Sequence, residues 1–315
     1  MTAIARFRQA AARVRDHDLW HDFTASKIAV GAAAVTAAIV LAALFAPWIT
    51  PQNPFDPAEL DLLDAFTPPV WAEGGDWRFV LGTDDQGRDL YSAMLYGARI
   101  SLLVGFASVL LAASIGVTLG LVAGYAGGAV DAAIMRVADV QISFPAILVA
   151  LLIDGVLRGI LPRDRHDELA LYVLVFAIGA SGWVQFARTV RGSTLVEKNK
   201  EYVQAARVIG VGSGAIMLRH ILPNAMGPVL VIATIGLAVA ILTEATLSFL
   251  GVGVPPTEPS LGTLIDIGQD FLFSGEWWIV VFPGVLLAAL ILAVNLLGDW
   301  LRDAFNPKLR GGVAR

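Results

Sequence analysis

Glu244 is the ionisable residue best placed for chemistry in an apolar setting. It follows an uncharged run, residues 221–243, and lies between Thr243 and Thr246, with Ser248 one helical turn further along. A carboxyl group at membrane depth is costly unless it faces a cavity or a partner. Three interpretations follow for Glu244: a polar lining of a translocation path shared with Thr243 and Ser248, a structural contact that closes an outer gate, or a solvent-exposed helix end.

The other candidates for catalytic or metal chemistry offer little. His17 and His21 have the i,i+4 spacing of one helix face, but no third ligand is apparent. The acidic cluster that begins at Asp84 resembles a calcium loop only in part, because its twelfth position is Leu95 rather than Glu. No Ser/His/Asp arrangement stands out. We predict no catalytic residue and no metal site in this chain.

Composition shows which elements must position these residues. Of the 315 residues, 57% are hydrophobic and only 16% are charged, and mean hydropathy is +0.70. A soluble domain usually carries ~25% charged residues. A net charge of −5 argues against a nucleic-acid partner, and the absence of cysteine excludes disulfides and thiolate metal sites. The composition therefore predicts an integral membrane protein embedded in a lipid bilayer.

Charge-free runs predict the membrane spans, because a spanning helix needs about 20 apolar residues. Five such runs are long enough: 28–49, 100–130, 169–187, 221–243 and 277–298. A sixth run, 140–153, spans only if its helix begins near Asp131. The alternation of a β-barrel strand is missing from all of them. We predict an all-α integral membrane protein with about six transmembrane helices.

The spans divide the chain into segments whose orientation follows from Lys and Arg. Most of the 22 Lys and Arg residues fall on one side if both termini are cytoplasmic, although a cluster from Arg158 to Arg165 falls on the other. The predicted segments are a cytoplasmic N-terminal segment 1–27, a first transmembrane helix 28–49, an extracytoplasmic loop 50–99, a five-helix core 100–300 with a cytoplasmic loop 188–223, and a cytoplasmic tail 301–315.

The cytoplasmic loop contains an amphipathic segment with small residues on it. Residues 201–210 have the sequence EYVQAARVIG, and residues 219–224 have the sequence RHILPN. Ala205, Ala206 and Gly210 allow another surface to approach the backbone closely, and Gly210 permits a left-handed turn. Pro223 sets where the next span starts. The segment is predicted to be either a docking helix or an interfacial helix that lies on lipid headgroups.

These residues resemble the EAA loop of ABC importer permeases. The stretches GTDDQGRD (82–89), YGARISL (96–102), MRVADVQISFP (135–145), TEATLSFLG (243–251) and LLGDWLRD (296–303) are similar to the dipeptide/oligopeptide/nickel branch, in its second, C-type permease subunit. The resemblance covers roughly residues 78–310; residues 1–27 and 51–79 carry no comparable signature. One departure is Gln204, where the family usually has an acidic residue before Ala-Ala.

The resemblance implies the ABC type I importer permease fold and a coupling helix that inserts into an ATPase subunit. It assigns that coupling to the following residues: Glu201, Gln204, Ala205, Ala206, Arg207, Gly210 and Pro223. It implies as partners a homologous second permease subunit, two ABC ATPase subunits and an extracytoplasmic solute-binding protein. ATP and Mg would be bound by the ATPases, because none of this chain's lysines follows a glycine as a P-loop requires.

The implied function is a non-catalytic, multi-pass permease subunit in a bacterial or archaeal cytoplasmic membrane. It would form half of a translocation pathway for peptides or similar small solutes. Dipeptides, oligopeptides, nickel and other solutes stay open as substrates. The alternatives are an ion- or proton-coupled secondary transporter that uses Glu244, and a membrane-embedded enzyme.

Overall fold

The computed structural model of the protein describes residues 18–162 and 165–304. Its helices are α1 (Asp18–Ala25), α2 (Lys27–Leu44), α3 (Ala46–Ile49), α4 (Leu90–Ala126), α5 (Gly128–Ile142), α6 (Ala146–Ile160), α7 (His166–Glu197), α8 (Glu201–Val208), α9 (Ser213–Ile216), α10 (Leu222–Phe249), α11 (Leu261–Gln269) and α12 (Trp278–Ala304). In these two ranges there is no β-strand, only an isolated bridge between Thr83 and Asp89. His17, Arg163, and parts of the predicted segments 1–27 and 301–315 lie outside the described residues.

Within the described residues, five helical units are long and apolar enough to cross a membrane: α2, α4, α7, the continuous unit Ser213–Phe249, and α12. They coincide with the five long charge-free runs. The sixth predicted span is not a single helix starting near Asp131. It consists of α5 and α6, which meet at 95° and add a sixth crossing if the pair is counted as one span.

The bend between α5 and α6 has a local cause in Pro145. Proline lacks the backbone N–H needed inside a helix and disfavours helical conformation at the residue before it, here Phe144. Accordingly α5 ends at Ile142 with Ser143 as its C-cap, and Pro145 is the N-cap of α6. The apolar run 140–153 therefore contains a helix break in its first half.

Several helices extend beyond the charge-free runs. Helix α4 begins at Leu90, because the Asp89 carboxylate caps it by accepting a hydrogen bond of 2.9 Å from the Ser92 N–H. Residues 90–99 of the predicted loop 50–99 are therefore helical. Helix α7 likewise continues to Glu197, into the predicted loop 188–223. Charge-free length measures only the part of a helix in hydrocarbon, and these helices project further.

Helices α4 and α7 make the most extensive helix–helix contact in the described part of the bundle. Gly116, Gly120 and Gly124 recur every fourth residue on α4, so they share one face, which lies against the α7 backbone. A Cβ atom on Gly120 would lie 2.3 Å from the carbonyl oxygen of Ala187. Small residues permit such approach between membrane helices, where lipid supplies no hydrophobic drive for association.

Polar contacts hold α5 against α7. Arg191 on α7 makes two hydrogen bonds to the Asp131 carboxylate, and Arg188 donates to Asp139 at 2.6 Å. Only Ala138 of α5 is buried. Ala138, with Ile134 and Met135 beside it, packs against Trp183, Val184 and Ala187 of α7. Helix α5 is therefore attached both by ion pairs and by a small apolar cluster.

The contacts define two ends of the bundle. The loop end carries residues 50–89, where the Trp278 indole N–H donates to the Thr83 carbonyl at 3.0 Å and the rings of Phe66 and Phe271 are 4.9 Å apart. The opposite end, called the α8 end, carries the last turn of α4 and the last turn of α7. There, Lys198 Nζ donates to the Gly124 carbonyl at 2.7 Å.

Candidate functional site

Helix α8 ends in a turn that depends on Gly210. The N–H of Gly210 donates to the Arg207 carbonyl, and the N–H of Val211 donates to the Ala206 carbonyl, each at 3.0 Å. This pair of bonds is the Schellman arrangement, in which the residue after the C-cap is left-handed. Gly210 has φ +81°, as the sequence-based expectation of a left-handed turn requires.

The two faces of α8 differ from the expected arrangement at one alanine. Val203 and Ala206 are buried, while Gln204 and Ala205 are exposed. Ala206, only 5% exposed, packs into a core cluster that also contains Val190 of α7. The expectation that Ala206 lies on an exposed docking surface is therefore wrong, because residues three apart share a helix face and Val203 fixes that face inward.

Tyr202 attaches α8 to two neighbouring elements. Its hydroxyl donates to Glu197 Oε2 at 2.6 Å and lies 3.2 Å from the Asn224 side-chain nitrogen, which donates to it. Lys200 Nζ donates to the other Glu197 oxygen at 2.7 Å. Partial burial raises the pKa of Tyr202 to about 12, and the Glu197 carboxylate contributes to the rise. Tyr202 is therefore a neutral hydrogen-bond donor at physiological pH.

Arg207 attaches the other end of α8 to the bundle. Its guanidinium lies 5.1 Å from the centre of the Tyr125 ring, on the last turn of α4. This is within cation–π range. Together with the buried Val203 and Ala206, Arg207 and Tyr202 connect α8 to α4, to α7 and to the start of α10. Helix α8 is thus in direct contact with three membrane-crossing units.

An apolar patch lies exposed where α8 ends. Val208 is 87% and Ile209 is 78% exposed, and a Cβ atom on Gly210, Gly212 or Gly214 would meet no atom within 4 Å. We define the α8 patch as the exposed residues Ala205, Val208, Ile209 and Gly210. Burying a Val or Ile side chain contributes ~1.5–3 kcal/mol. The patch therefore gains substantially from any partner that covers it.

The two polar residues at the start of α8 both point outward. Glu201 is exposed in the first turn, where a carboxylate is favoured by the helix dipole. Gln204 is exposed, and its side-chain nitrogen donates to the Asn199 carbonyl at 3.0 Å. An acid at position 204 would lack that donor.

Pro223 lies in the first turn of α10, but the membrane-crossing unit begins earlier, at Ser213. The chain is helical from Ser213 to Phe249, with a π-helical turn at Met217–Ile221 just before the proline. Proline 223 cannot donate to the Arg219 carbonyl four residues earlier, and its ring crowds that group. The wider turn, in which the Leu222 N–H bonds the Met217 carbonyl, accommodates the proline without a break.

Of the three residues proposed for a translocation path, Glu244 and Ser248 are in contact, and Thr243 faces elsewhere. Glu244 is fully buried, so the interpretation as a solvent-exposed helix end is wrong. Ser248 donates to Glu244 Oε1 at 2.8 Å, and Ser101 of α4 and Ser260 before α11 face the same carboxylate. Thr243 instead lines a cavity on another face of α10. Glu244 and Ser248 join helices, whereas Thr243 borders open space.

The sequence-based analysis missed an arginine clamp at the loop end. Arg158 of α6 donates from Nη2 to the carbonyls of Val252 at 3.1 Å and Gly253 at 2.9 Å. Its Nε donates to the fully buried Asp154 at 2.8 Å. Arg158, an exception to the charge distribution in the sequence, thus holds the segment 252–256, which we call the strap.

A second arginine holds the same strap from the other side. Arg88 is 1% exposed, donates from Nη1 to the Pro256 carbonyl at 3.0 Å, and pairs with the fully buried Asp84. Both clamps have an aspartate four residues before the arginine, and this Asp-x-x-x-Arg spacing is the sequence signal that could have identified them. Asp84 is therefore an ion-pair partner rather than part of a calcium loop.

Asp85 lies beside this pair. Burial raises the pKa of Asp85, the nearby Asp84 charge raises it further, and Arg88 opposes the rise. Burial likewise raises the pKa of Asp89. Among residues 18–162 and 165–304, no group of three or more His, Asp or Glu has the geometry to hold a metal ion.

Two sequence models of protein families match the chain. One, described as a binding-protein-dependent transport system inner membrane component, matches residues 116–311. The other, the N-terminal transmembrane domain of oligopeptide transport permease C, matches residues 17–69. The second match covers much of the region in which the sequence motifs gave no signature.

Individual proteins are similar to this chain over most of their length. The di/tripeptide transport system permease protein DppC of Pseudomonas aeruginosa (strain UCBPP-PA14) is 39% identical over 94% of this chain and 93% of its own. The dipeptide transport system permease protein DppC of Escherichia coli (strain K12) is 42% identical over 93% of each chain.

A solved structure shares the fold. A chain of the MetNI methionine ABC transporter, in an inward facing conformation, superposes with a TM-score of 0.52 at 22% identity. The match covers 67% of this chain and 96% of that one. At this identity the likeness supports the predicted ABC importer permease fold.

Proposed function

This chain belongs to the family of binding-protein-dependent transport system inner membrane components, and on that premise we propose that it imports dipeptides as one of two paired permease subunits. It is an ABC transporter permease and a multi-pass membrane protein. The relatives named above are di- and tripeptide permeases, which favours dipeptides over nickel as the substrate. They give no support to the ion-coupled transporter that uses Glu244.

The observation that carries the proposal is the α8 patch. An apolar patch on a helix fixed to three membrane-crossing units fits a docking site for a protein partner that moves. In the proposed mechanism the partner is an ABC ATPase, which binds ATP and Mg. Closure of the ATPase dimer displaces α8, and α4, α7 and α10 follow because α8 is packed on them.

The residues assigned to coupling have different proposed roles. Ala205 and Gly210 belong to the surface that the ATPase contacts, whereas Ala206 and Arg207 hold α8 to the bundle. Glu201 and Gln204 present polar groups beside the α8 patch. Pro223, the last residue of this group, follows the π-helical turn that connects α9 to α10.

We further propose an orientation in which the α8 end is cytoplasmic. Both termini then lie inside a bacterial cytoplasmic membrane, and residues 50–89 lie outside. The loop end presents large exposed apolar residues, with Leu63 92%, Trp77 84% and Phe273 98% exposed. A solute-binding protein that delivers the peptide docks on this side, and the strap joins its docking face to α6.

The test is peptide uptake into proteoliposomes that contain this chain, its partner permease, the ATPases and the binding protein. The proposal predicts dipeptide accumulation that requires ATP and every component, and that survives ionophores which abolish proton and sodium gradients. A matched assay without the ATPases serves as the control. Uptake that persists without ATPases but disappears with the ionophores would establish the ion-coupled alternative instead.

A further inference from the structure

A cavity of about 340 Å³ lies inside the membrane-spanning part of the chain, between α4, the α5–α6 junction, α7 and α10. Ser108, at the centre of α4, and Ser181, at the centre of α7, both line it. Gly236, near the centre of α10, lines its third side. The cavity is therefore at mid-depth in the bundle, far from both ends.

The break between α5 and α6 borders this cavity. Phe144 and Pro145 line it, and residues 143–145 are exposed in the chain. Non-helical backbone at membrane depth is tolerated only where protein covers it or where it lines a water-filled space. The cavity side of this break therefore faces a partner or water rather than lipid.

The break is held in a fixed position by Gln141. Its side-chain nitrogen donates to the Ala180 and Ser181 carbonyls at 3.1 and 2.9 Å, and its oxygen accepts from the Trp183 indole at 2.7 Å. Both the nitrogen and the oxygen of the Gln141 amide are thus hydrogen-bonded to α7. The cavity is a built feature of the fold rather than loose packing around a kink.

The polar groups of the lining are all neutral. Gln185 is exposed on α7, Thr243 lines the α10 side, and Ser108, Ser181 and Gln141 complete the set. Among the described residues, no Asp, Glu, Lys or Arg lines the cavity. Glu244, next to Thr243 in sequence, is buried away from it against Ser248. The hydroxyls of Ser108, Ser181 and Thr243 already donate to backbone carbonyls, so their oxygens accept from peptide N–H groups. The exposed Gln185 amide supplies a donor for a peptide C=O group.

We propose that this cavity is the stretch of the translocation path in which the passing peptide contacts this chain, and that its neutral lining makes passage independent of the charge on the peptide's side chains. The inference rests on the proposed function and specifies where its substrate is contacted. A fixed charge here would favour peptides of one sign and impede those of the other. Hydroxyl and amide groups bind the backbone common to every short peptide.

The experiment places a charge at Thr243 after assembly. The chain has no cysteine, so Thr243→Cys introduces a single thiol of similar size, which a small cationic or anionic methanethiosulfonate reagent then modifies. Thr246→Cys is the matched control. Thr246 is on the same helix and its hydroxyl bonds the carbonyl four residues earlier, as that of Thr243 does, but it does not line the cavity.

Uptake of Lys-Lys, Ala-Ala and Glu-Glu dipeptides is then compared in the reconstituted transporter. The cationic adduct at position 243 is expected to reduce Lys-Lys uptake about tenfold or more relative to Glu-Glu, and the anionic adduct is expected to reverse the order. Adducts at position 246 should leave the ratio unchanged.

Two results have distinct meanings. If both adducts at position 243 reduce all three peptides equally, or reduce none, the peptide does not contact this cavity and the inference is overturned. If the unmodified transporter moves none of the three dipeptides although ATP turnover is intact, the proposed dipeptide function itself fails. The ratio between peptides separates substrate contact from a general loss of structure.

Discussion

Replacing Gly210 by valine tests whether the turn after α8 sets the position of the docking surface. Gly210 has φ +81°, and a Cβ atom there would meet nothing within 4 Å. Any effect of the valine must therefore come from the backbone and not from crowding inside the chain. A left-handed conformation is costly for every L-residue and most costly for a β-branched one.

The cost sets the size of the expected effect. The left-handed region disfavours an L-residue by about 1–2 kcal/mol. If the ATPase docks only when the turn is intact, that energy reduces its apparent affinity by roughly 5–30-fold. The two hydrogen bonds that close the turn, from Gly210 and Val211, would be lost together. The α8 patch, which includes Ile209, would then shift away from its docking geometry.

The assay is a titration of the ATPase subunits against the permease pair in lipid nanodiscs, alongside dipeptide uptake. Gly212→Val is the matched control. Gly212 is exposed and also has no atom within 4 Å of a Cβ, but its φ of −62° and ψ of 146° suit valine. We expect weak ATPase binding and lost uptake for Gly210→Val, and a much smaller change for Gly212→Val. Equal affinities of the two variants for the ATPase would refute the role of the turn. If Gly210→Val instead strengthened the contact of α8 with lipid and left uptake unchanged, α8 would be an interfacial helix.

Three further changes test the fold, the strap and the orientation. Gly120→Leu should prevent α4 from packing on α7 and abolish a stable fold in detergent, whereas Gly192→Leu, where a Cβ meets nothing within 4 Å, should leave the melting temperature nearly unchanged. Asp84→Asn should destabilise the loop end by about 3–5 kcal/mol, because it removes the close, buried charged partner of Arg88 and leaves only the Asp85 carboxylate, 3.9 Å from Nη2. Asp85→Asn should not destabilise the loop end. Burial raises the pKa of Asp85, so the folded state is favoured while this carboxyl is protonated, and that contribution to stability is lost as pH rises through the folded pKa. Asparagine stays neutral and avoids the loss. Finally, a cysteine replacing Leu63 should react with an impermeant reagent from outside intact cells, and one replacing Val208 should react only after the membrane is opened; the reverse pattern would overturn the orientation.

The five long spans were predictable because hydrocarbon thickness fixes the length of a charge-free run. The bent pair was not fully predictable. Its run of apolar residues was visibly too short, and Pro145 lies within it, but local sequence does not determine the angle of 95° between the two helices. That angle depends on tertiary contacts, above all those of Gln141 with α7.

The sequence did not show which face of α8 is turned toward the bundle. Ala205 and Ala206 are the same small residue, so neither size nor polarity indicates which one faces the bundle. The structure resolves this through Val203, whose burial places Ala206 inside and Ala205 outside. Gly210 was easier to predict, because glycine after an amphipathic segment commonly adopts the left-handed turn that it has here.

The arginine clamps show where sequence patterns carry least information. Arg88 and Arg158 lie among polar loops and helix ends, where charges are usually solvated, and the strap that they bind is distant in sequence. Their i,i+4 aspartates were visible, but their shared target was not. Glu244 is similar: its cost at membrane depth was evident, yet two of its three serine partners, Ser101 and Ser260, lie outside its own helix.

Cross-linking from single cysteines on α8 tests most directly whether the α8 patch docks the ATPase. Ala205→Cys and Ala206→Cys are adjacent and chemically identical changes in a chain without other cysteines, but residue 205 is exposed and residue 206 is 5% exposed. In the assembled transporter, a short thiol-to-amine cross-linker should join position 205 to the ATPase and leave position 206 unlinked. Absence of a cross-link from position 205, together with uptake that is insensitive to its modification, would contradict docking at the α8 patch.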